Sequence, residues 1–105
     1  MHIQVVNFQL NGVNQEEYIK LCEEEAPTFA AIPGLLSKVW LADPATNTYG
    51  GVYTWRDRQA MEDYIQSELF HAVLTAPEIA GVTSRGFAIL EGPTRVTRGL
   101  AEAIV

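Results

Sequence analysis

A lysine lies among aromatic residues in two segments that have the pattern of a β-hairpin. Strand side chains alternate between the two faces of a sheet, so residues two positions apart share a face. If the segments pair through a turn from Asp43 to Thr48, an ammonium, a phenol and two indoles fall on one surface. Such a surface could bind a flat aromatic molecule and stabilise negative charge on it. The predicted cross-strand pairs are Leu36 with Trp55, Lys38 with Tyr53, and Trp40 with Gly51.

The same residues also fit a purely structural interpretation. A strand lysine often buries its aliphatic stem and extends its charge to solvent, and Lys38 is compatible with that arrangement. Trp40, Tyr53 and Trp55 are of the types that strands favour for packing in a core. In the functional interpretation, Gly51 leaves room beside Trp40 because it has no side chain. The sequence leaves both interpretations open.

Composition limits the other functions of the chain. The 105 residues carry a net charge of -6, and the few basic residues are scattered, which disfavours nucleic acid and anionic membranes as partners. Apolar runs are too short to span a bilayer and no signal-peptide pattern is present, so we expect a cytoplasmic protein. A single cysteine, Cys22, excludes a disulfide framework within the chain, and two distant histidines make a poor metal site. No nucleotide-binding, zinc-protease or serine-hydrolase motif occurs.

Hydrophobic periodicity and turn signals predict the order strand, helix, strand, strand, helix, strand. Pro27 interrupts the first helix, so a kink or two shorter helices are expected there, while Asp57 and Ser67 cap two helices in the second helical region. This order predicts an α+β fold, a ferredoxin-like antiparallel sheet with the helices on one face. The expected bounds are a strand from about His2 to Leu10, a helix capped by Asn14, a hairpin after Pro33-Gly34, a last strand from about Val82 to Leu90, a single domain over residues 1–92 and a tail over residues 93–105.

The sheet face without helices is expected to be apolar. Leaving such a face in water is unfavourable, at about 25 cal/mol per Å² of apolar surface, so it should meet a second copy of itself. We therefore predict a homodimer in which two sheets close into a dimeric α+β barrel, with one pocket under the helices of each subunit. The tail from Leu100 to Val105 is expected to pack on the partner subunit. The residues assigned to the uncovered face are Val6, Phe8, Leu10, Leu35, Val39, Leu41 and Val52.

Several motifs resemble those of a known family. With the element order, they are similar to the YdhR-like monooxygenases of the dimeric α+β barrel superfamily, over about residues 1–92. The resemblance implies kinship with antibiotic-biosynthesis monooxygenases, which oxidise polycyclic phenols or anthrones with molecular oxygen and use neither metal nor flavin. It therefore implies an oxidoreductase without a cofactor that acts on a small aromatic substrate. The motifs are Pro33-Gly34-Leu35, Lys38-Val39-Trp40, Gly50-Gly51-Val52-Tyr53, Tyr64 and Ser67.

The implied chemistry gives candidate roles to these residues. Without a cofactor the substrate must supply the electrons, so the protein must favour its deprotonated form in a dry pocket. Lys38 and Tyr53 are the candidate catalytic residues, the lysine as a base or as an ammonium beside the anion, the tyrosine as a hydrogen-bond donor or proton relay. Trp40 and Trp55 would stack on the substrate and exclude water. The candidate substrate-binding residues are Asn7, Trp40, Gly51, Trp55, Tyr64 and His71.

Heme-degrading relatives provide the basis for including Asn7, because they carry an asparagine at a similar place on the first strand. The structural alternative for Asn7 is a hydrogen bond to nearby backbone. Those relatives also need a histidine one helical turn beyond a Ser-x-x-Phe segment. Here the matching position is Leu74, so heme degradation is not expected. His71 either points into the pocket mouth or lies on the surface.

Three functions stay open at the level of sequence. The first is oxidation of a small aromatic or polycyclic phenolic compound by oxygen. The second is isomerisation or decarboxylation of a phenolic or lactone intermediate, with Lys38 and Tyr53 as acid and base. The third is binding of an aromatic metabolite without catalysis. A fold of this type hosts many unrelated activities and does not choose among them.

Overall fold

The computed structural model describes residues 1–100, and its elements follow the predicted order. They are β1 (His2–Leu10), α1 (Gln15–Ala30), β2 (Leu35–Asp43), β3 (Thr48–Trp55), α2 (Arg58–Ile65), α3 (Glu68–Thr75), β4 (Ile79–Ala88) and α4 (Glu91–Val96). The four strands form one antiparallel sheet in the order β2-β3-β1-β4. Side chains of α1, α2 and α3 pack against the same face of this sheet. The predicted ferredoxin-like α+β fold is confirmed.

The helices begin at the predicted capping residues. The side chain of Asn14 accepts a hydrogen bond from the Glu17 amide at 2.9 Å, and Asp57 caps α2 in the same way. Ser67 accepts from the Phe70 amide at 3.3 Å and starts α3. Each cap satisfies an amide that the first turn of a helix leaves without a partner.

The sequence predicted a kink or two shorter helices at Pro27, and the second of these alternatives is wrong. Helix α1 runs from Gln15 to Ala30 as one element with Pro27 inside it. Proline at this position removes the bond to the carbonyl of Glu23, but only one turn of helix follows. Phe29 in that last turn is buried against the sheet, which holds the turn in place.

The β2-β3 hairpin has the predicted turn and most of the predicted register. Asp43 pairs with Thr48, Trp40 with Gly51 and Lys38 with Tyr53. The expected pair of Leu36 with Trp55 is wrong, because the register shifts between Leu35 and Ser37. Leu35 faces Trp55 instead, and Leu36 is 43% exposed.

The two faces of β1 are the reverse of those expected. Val6 and Phe8 are buried under the helices, where Val6 pairs with Gly51 and Phe8 with Tyr49. Leu10 and Leu35 also pack against this core. Partners in an antiparallel pair share a face, so the aromatic residues of β3 fix the orientation of β1. The uncovered face, called the open face below, carries Ile3, Val5, Asn7, Val39, Leu41, Val52, Thr83, Arg85 and Phe87.

The C-terminal segment contains structure that the sequence did not predict. Strand β4 starts and ends a few residues earlier than expected, and α4 occupies part of the segment assigned to a tail. Leu100 is buried within the chain itself. The rest of the segment expected to pack on a partner, residues 101–105, lies outside the described residues. Within residues 1–100, no helix is both long and apolar enough to cross a bilayer.

Candidate functional site

A cavity of about 250 Å³ lies between the helix-covered face of the sheet and helices α1 and α3. Its position follows from the hairpin register, which places one side-chain row of β2 and β3 under α1. Aromatic rings form much of its wall, so a bound molecule would be surrounded by apolar surface. The residues that matter for its chemistry are Phe8, Tyr18, Phe29, Lys38, Trp40 and Tyr53.

The amine of Lys38 lies among three aromatic rings of this wall. Its Nζ atom is 3.4 Å from the ring centroid of Trp40, 3.6 Å from that of Phe29 and 4.7 Å from that of Tyr53. Cations are attracted to ring faces at such distances. Among the described residues, Lys38 forms no ion pair with a carboxylate and no hydrogen bond. The amine therefore contacts rings, interacts electrostatically with the neighbouring Cys22, and is available to a ligand in the cavity.

Burial changes the acidity of Lys38. It lowers the pKa of the amine from the ordinary 10.5 to about 7, because removing water penalises the charged form. The ring faces favour the ammonium and oppose part of this effect. Near neutral pH the site therefore holds both the free amine, which is a base, and the ammonium, which stabilises an anion.

Gly51 makes the position of Lys38 possible. A β-carbon at Gly51 would lie 2.8 Å from Cε of Lys38 and 3.3 Å from a ring carbon of Tyr53. Both distances are too short for ordinary van der Waals contact. The sequence predicted that Gly51 leaves room beside Trp40, and the structure shows the lysine stem using that room.

The hydroxyl of Tyr53 is paired with the hydroxyl of Tyr64 at 3.3 Å. Burial raises the pKa of Tyr53 far above its ordinary value, and the adjacent Tyr64 adds to the effect. Burial also raises the pKa of Tyr64 to about 12. Both phenols stay protonated at neutral pH, so Tyr53 can donate a hydrogen bond but does not serve as a base.

Trp55 and Tyr64 lie behind the cavity wall and do not line the cavity. Trp55 is 0% exposed, and its ring stacks on Tyr53 at 5.9 Å with an interplanar angle of 3°. Its indole nitrogen donates to the buried Gln4 at 3.0 Å, and Gln4 donates to Ser84 at 2.8 Å. Direct stacking of Trp55 on a ligand, as the sequence suggested, does not fit this burial. Trp55 and Tyr64 instead hold Tyr53 in position.

Asn7 and His71 are not brought to the cavity. Asn7 lies on the open face, opposite to Lys38, and its amide donates to the Tyr49 carbonyl at 3.4 Å. The orientation of β1 is the physical reason, since neighbouring strand residues point to opposite faces. His71 is exposed on α3, whose neighbouring positions Ala72 and Val73 line the cavity instead. Asn7 thus has the backbone hydrogen bond, and His71 the surface position, that were the structural alternatives for these residues.

The chain also matches a family of known proteins. The family described as "Putative mono-oxygenase ydhR" matches residues 3–100. The chain belongs to this family. A comparison with curated protein sequences finds no match. Membership of the YdhR family assigns the chain to a monooxygenase group. Its substrate and mechanism must be inferred from the residues of the cavity.

Solved structures with the same fold include several oxygenases. SnoaB, a cofactor-independent oxygenase from Streptomyces nogalater, is 22% identical, with a TM-score of 0.64 over 85% of this chain and 93% of that chain. MhuD, a heme-degrader from Mycobacterium tuberculosis, is 16% identical, with a TM-score of 0.68 over 86% and 96%. A "putative antibiotic biosynthesis monooxygenase" from Deinococcus radiodurans is 13% identical, with a TM-score of 0.68 over 85% and 92%. At identities this low, the similarity shows a common fold and nothing about activity.

The site of this YdhR-family chain also includes residues that were not predicted from the sequence. Phe29 contacts the Lys38 amine, and Tyr18 and Cys22 line the cavity from α1. Burial raises the pKa of Tyr18 and that of Cys22, so both side chains are neutral. The buried side of α1 was visible in the periodicity, but which strands it covers was not. Glu25 and Glu78 add carboxylates to the cavity lining.

Proposed function

We propose that the protein is a cofactor-independent monooxygenase that oxidises a small aromatic or polycyclic phenolic compound with molecular oxygen. The observation that carries the proposal is the Lys38 amine, which lies among ring faces in a cavity and has a pKa lowered to about 7 by burial. Membership of the YdhR family supports the reaction class. A cofactor-independent oxygenase also occurs among proteins of this fold.

The first step assigned to Lys38 is proton abstraction. The neutral amine takes a proton from a phenolic O–H or from a C–H bond made acidic by adjacent rings and a carbonyl. The ammonium that results stays beside the anion in a site with little water, where its charge has a large effect. The anion is electron-rich enough to react with oxygen directly. Phe29 and Trp40 hold its rings and exclude water.

Electron balance narrows the substrate. Conversion of a ring-activated CH₂ group to C=O releases four electrons, and reduction of O₂ to one carbonyl oxygen and one water consumes four. No external reductant is then required. Simple hydroxylation of an arene supplies only two electrons, so an external reductant would have to supply the other two. We therefore favour anthrone-like compounds, in which the reacting CH₂ lies between two aromatic rings opposite a carbonyl.

Tyr53 acts as a donor in this proposal. Because its phenol stays protonated, it offers a hydrogen bond to the anionic oxygen of the substrate. For Tyr53 to donate to the substrate, Tyr64 must donate its own hydrogen to the Tyr53 oxygen in the 3.3 Å bond that joins the two hydroxyls. Proton relay through Tyr53, the other role considered from the sequence, requires a pair of exchangeable hydroxyls, which Tyr53 and Tyr64 provide.

Heme chemistry is not proposed for this chain. Of the described histidines, His71 is exposed and His2 lies at the start of β1, and neither lines the cavity. Leu74, the position matched to the heme ligand of heme-degrading relatives, is an exposed residue of α3. The side chains of the cavity therefore do not fit the histidine ligation expected of such a group.

A homodimer formed through the open face is also part of the proposal. Val39 is 57% exposed and Phe87 is 43% exposed on this face of the isolated chain. Val5 and Val52 pair between them at the centre of the sheet. A second copy that buries this apolar surface would give the dimeric α+β barrel expected from the sequence. The cavity lies on the other face and stays separate in each subunit.

Oxygen uptake tests the proposed reaction. Protein treated with a chelator is mixed with anthrones, naphthols and hydroquinones, and oxygen consumption and products are measured. We expect turnover of an anthrone-like compound that falls at least about 100-fold in Lys38→Met and less in Tyr53→Phe. Lys20→Met is the matched control, because Lys20 is the other lysine and is exposed on α1.

The other outcomes separate the alternatives. Product formed equally well without oxygen would replace the oxygenase with an isomerase or a decarboxylase. Saturable binding without product would leave a module that sequesters aromatic metabolites. Oxidation that is unchanged in Lys38→Met would contradict the role assigned to the lysine.

A further inference from the structure

We propose that Lys38 is a nucleophile that forms a Schiff base with aromatic aldehydes or ketones bound in the cavity. This inference does not rest on the oxygenase proposed above. It follows from an amine that lies over the rings of Phe29, Trp40 and Tyr53 in the wall of a cavity and forms no ion pair with a carboxylate among the described residues. The Cys22 thiol lies in the same wall and interacts with this amine electrostatically. Schiff-base lysines elsewhere share this apolar setting.

The first requirement of such a site is a free electron pair on the amine. Lysine amines in water are almost fully protonated at neutral pH and react slowly. The desolvated position of Lys38 favours the neutral form, and no described carboxylate lies within 4.0 Å to hold the ammonium. Glu25 and Glu78 line the cavity but form no ion pair with it.

The second requirement is a place for the carbonyl compound. The cavity volume of about 250 Å³ suits one or two fused rings, and the aromatic side chains of the wall offer them apolar contact. Because Gly51 has no β-carbon, the lysine stem has room beside Tyr53, and Lys38 forms part of the cavity wall. Because Glu25 and Glu78 are acidic, a neutral aromatic carbonyl fits better than a carboxylated one.

The reaction balances with the groups present. The nitrogen lone pair forms a bond to the carbonyl carbon, the C=O π bond breaks, and the oxygen takes a proton. The carbinolamine then loses its oxygen as water, which leaves a protonated C=N bond. One amine and one carbonyl give one imine and one water, and no oxidant or reductant takes part. The low water content of the cavity favours the loss of water.

Reductive trapping tests the inference without measuring oxygenase activity. The native protein is incubated at pH 7.5 with 2-naphthaldehyde and sodium cyanoborohydride under argon, and the modified peptides are identified by mass spectrometry. Lys20 is exposed and serves as the reference amine within the same protein. The amine of Met1 is paired with Glu91 at 2.7 Å. We expect label on Lys38 to exceed label on Lys20 by at least about tenfold. Addition of 2-naphthol, which fits the same cavity but has no carbonyl, should suppress it.

Three results would overturn the inference. The first is that Lys20 is labelled at least as much as Lys38 in the native protein. The second is the same preference after unfolding in urea, which would show that the cavity plays no part. The third is labelling that 2-naphthol does not reduce. Because all three use the unmodified chain, they do not depend on whether a Lys38 variant folds, and none depends on oxygen consumption.

Discussion

Lys38 is the residue on which the chemistry of this chain depends, and its state is set by two opposing effects. Burial among rings removes water and favours the free amine. The faces of Trp40 and Phe29 attract the ammonium, by about 0.5–2 kcal/mol for each favourable contact. The balance near neutral pH allows one side chain to take a proton and then to stabilise the anion that it has formed.

The acidity of Lys38 predicts a particular pH dependence of stability. Below pH 7 the amine is protonated in both states, so the folded protein carries the full cost of burying the charge. Between pH 7 and 10.5 the unfolded chain binds a proton that the folded chain has released, so the free energy of unfolding rises with pH. The total rise attributable to this residue is at most roughly 5 kcal/mol. Urea unfolding from pH 6.5 to 9.5 should show the free energy of unfolding of wild type rising with pH relative to that of Lys38→Met.

Lys20→Met is the control for the pH experiment, since it removes the exposed lysine. Its stability curve should run parallel to that of wild type. If the curves of wild type and Lys38→Met are also parallel across this range, the amine titrates identically in folded and unfolded chains and the account of its burial is wrong.

Gly51 should tolerate no side chain. In Gly51→Ala the new carbon would lie 2.8 Å from Cε of Lys38 and 3.2 Å from the carbonyl oxygen of Val39. We expect a loss of about 1–3 kcal/mol in the free energy of unfolding, together with displacement of the lysine. Gly92→Ala is the matched control, because no atom lies within 4 Å of the added carbon. Equal stability of the two variants in denaturant titrations would show that the space beside Gly51 is not filled as described.

At the scale of elements, local signals were sufficient to predict the helix starts and the hairpin. Asn14 and Ser67 act within three residues of themselves, so no distant information is needed. Local signals could not predict which face of β1 is covered, because apolar residues occur on both sides of this strand. The strand order and the register with β3 decide which side is covered, and those are contacts between distant parts of the chain. Gln4 is buried on the covered side of β1, where its amide accepts from Trp55 and donates to Ser84.

Ser67 links two helices and should matter to both. Its hydroxyl donates to the Tyr64 carbonyl at 2.6 Å and accepts from the Phe70 amide at 3.3 Å. Ser67→Ala should lower the free energy of unfolding by about 1–2 kcal/mol, since the start of α3 loses its cap. Ser37→Ala removes a hydroxyl on β2 that caps no helix, and it should change the free energy of unfolding by less than about 0.5 kcal/mol. Thermal or urea unfolding of the two variants checks this, and an equal effect would deny Ser67 a capping role.

At the scale of the whole molecule, the proposed dimer gives the open face a partner. Val39→Glu places a charge at the most exposed valine of this face and should convert dimers to monomers. Leu74→Glu is the matched control, because Leu74 is 49% exposed on α3, on the other side of the sheet. Analytical ultracentrifugation at micromolar concentration distinguishes the two species. A wild-type protein that is monomeric there, or a Val39→Glu variant that stays dimeric, would contradict the proposed interface.

The candidate site was partly predictable for reasons of geometry. Lys38, Trp40, Gly51 and Tyr53 belong to one hairpin, so a period of two and a turn were enough to bring them together. Asn7 was assigned through resemblance and His71 through its place beside Phe70, and the faces of their elements turn both away from the cavity. The contribution of Phe29 needed the packing of α1 across the sheet, which no local pattern contains. The expected cytoplasmic location stays a prediction.

The acidity of the Lys38 amine can be measured directly by titration of the lysine side chains, because the chain contains only Lys20 and Lys38. NMR of protein labelled with ¹⁵N-lysine follows the two Nζ signals as a function of pH. The Lys38 signal should titrate with a midpoint near pH 7, because burial lowers the pKa of its amine to about 7, and a bound naphthol should shift this signal. A Lys38 signal that stays that of a solvated ammonium up to pH 9, and does not respond to naphthol, would contradict this expectation.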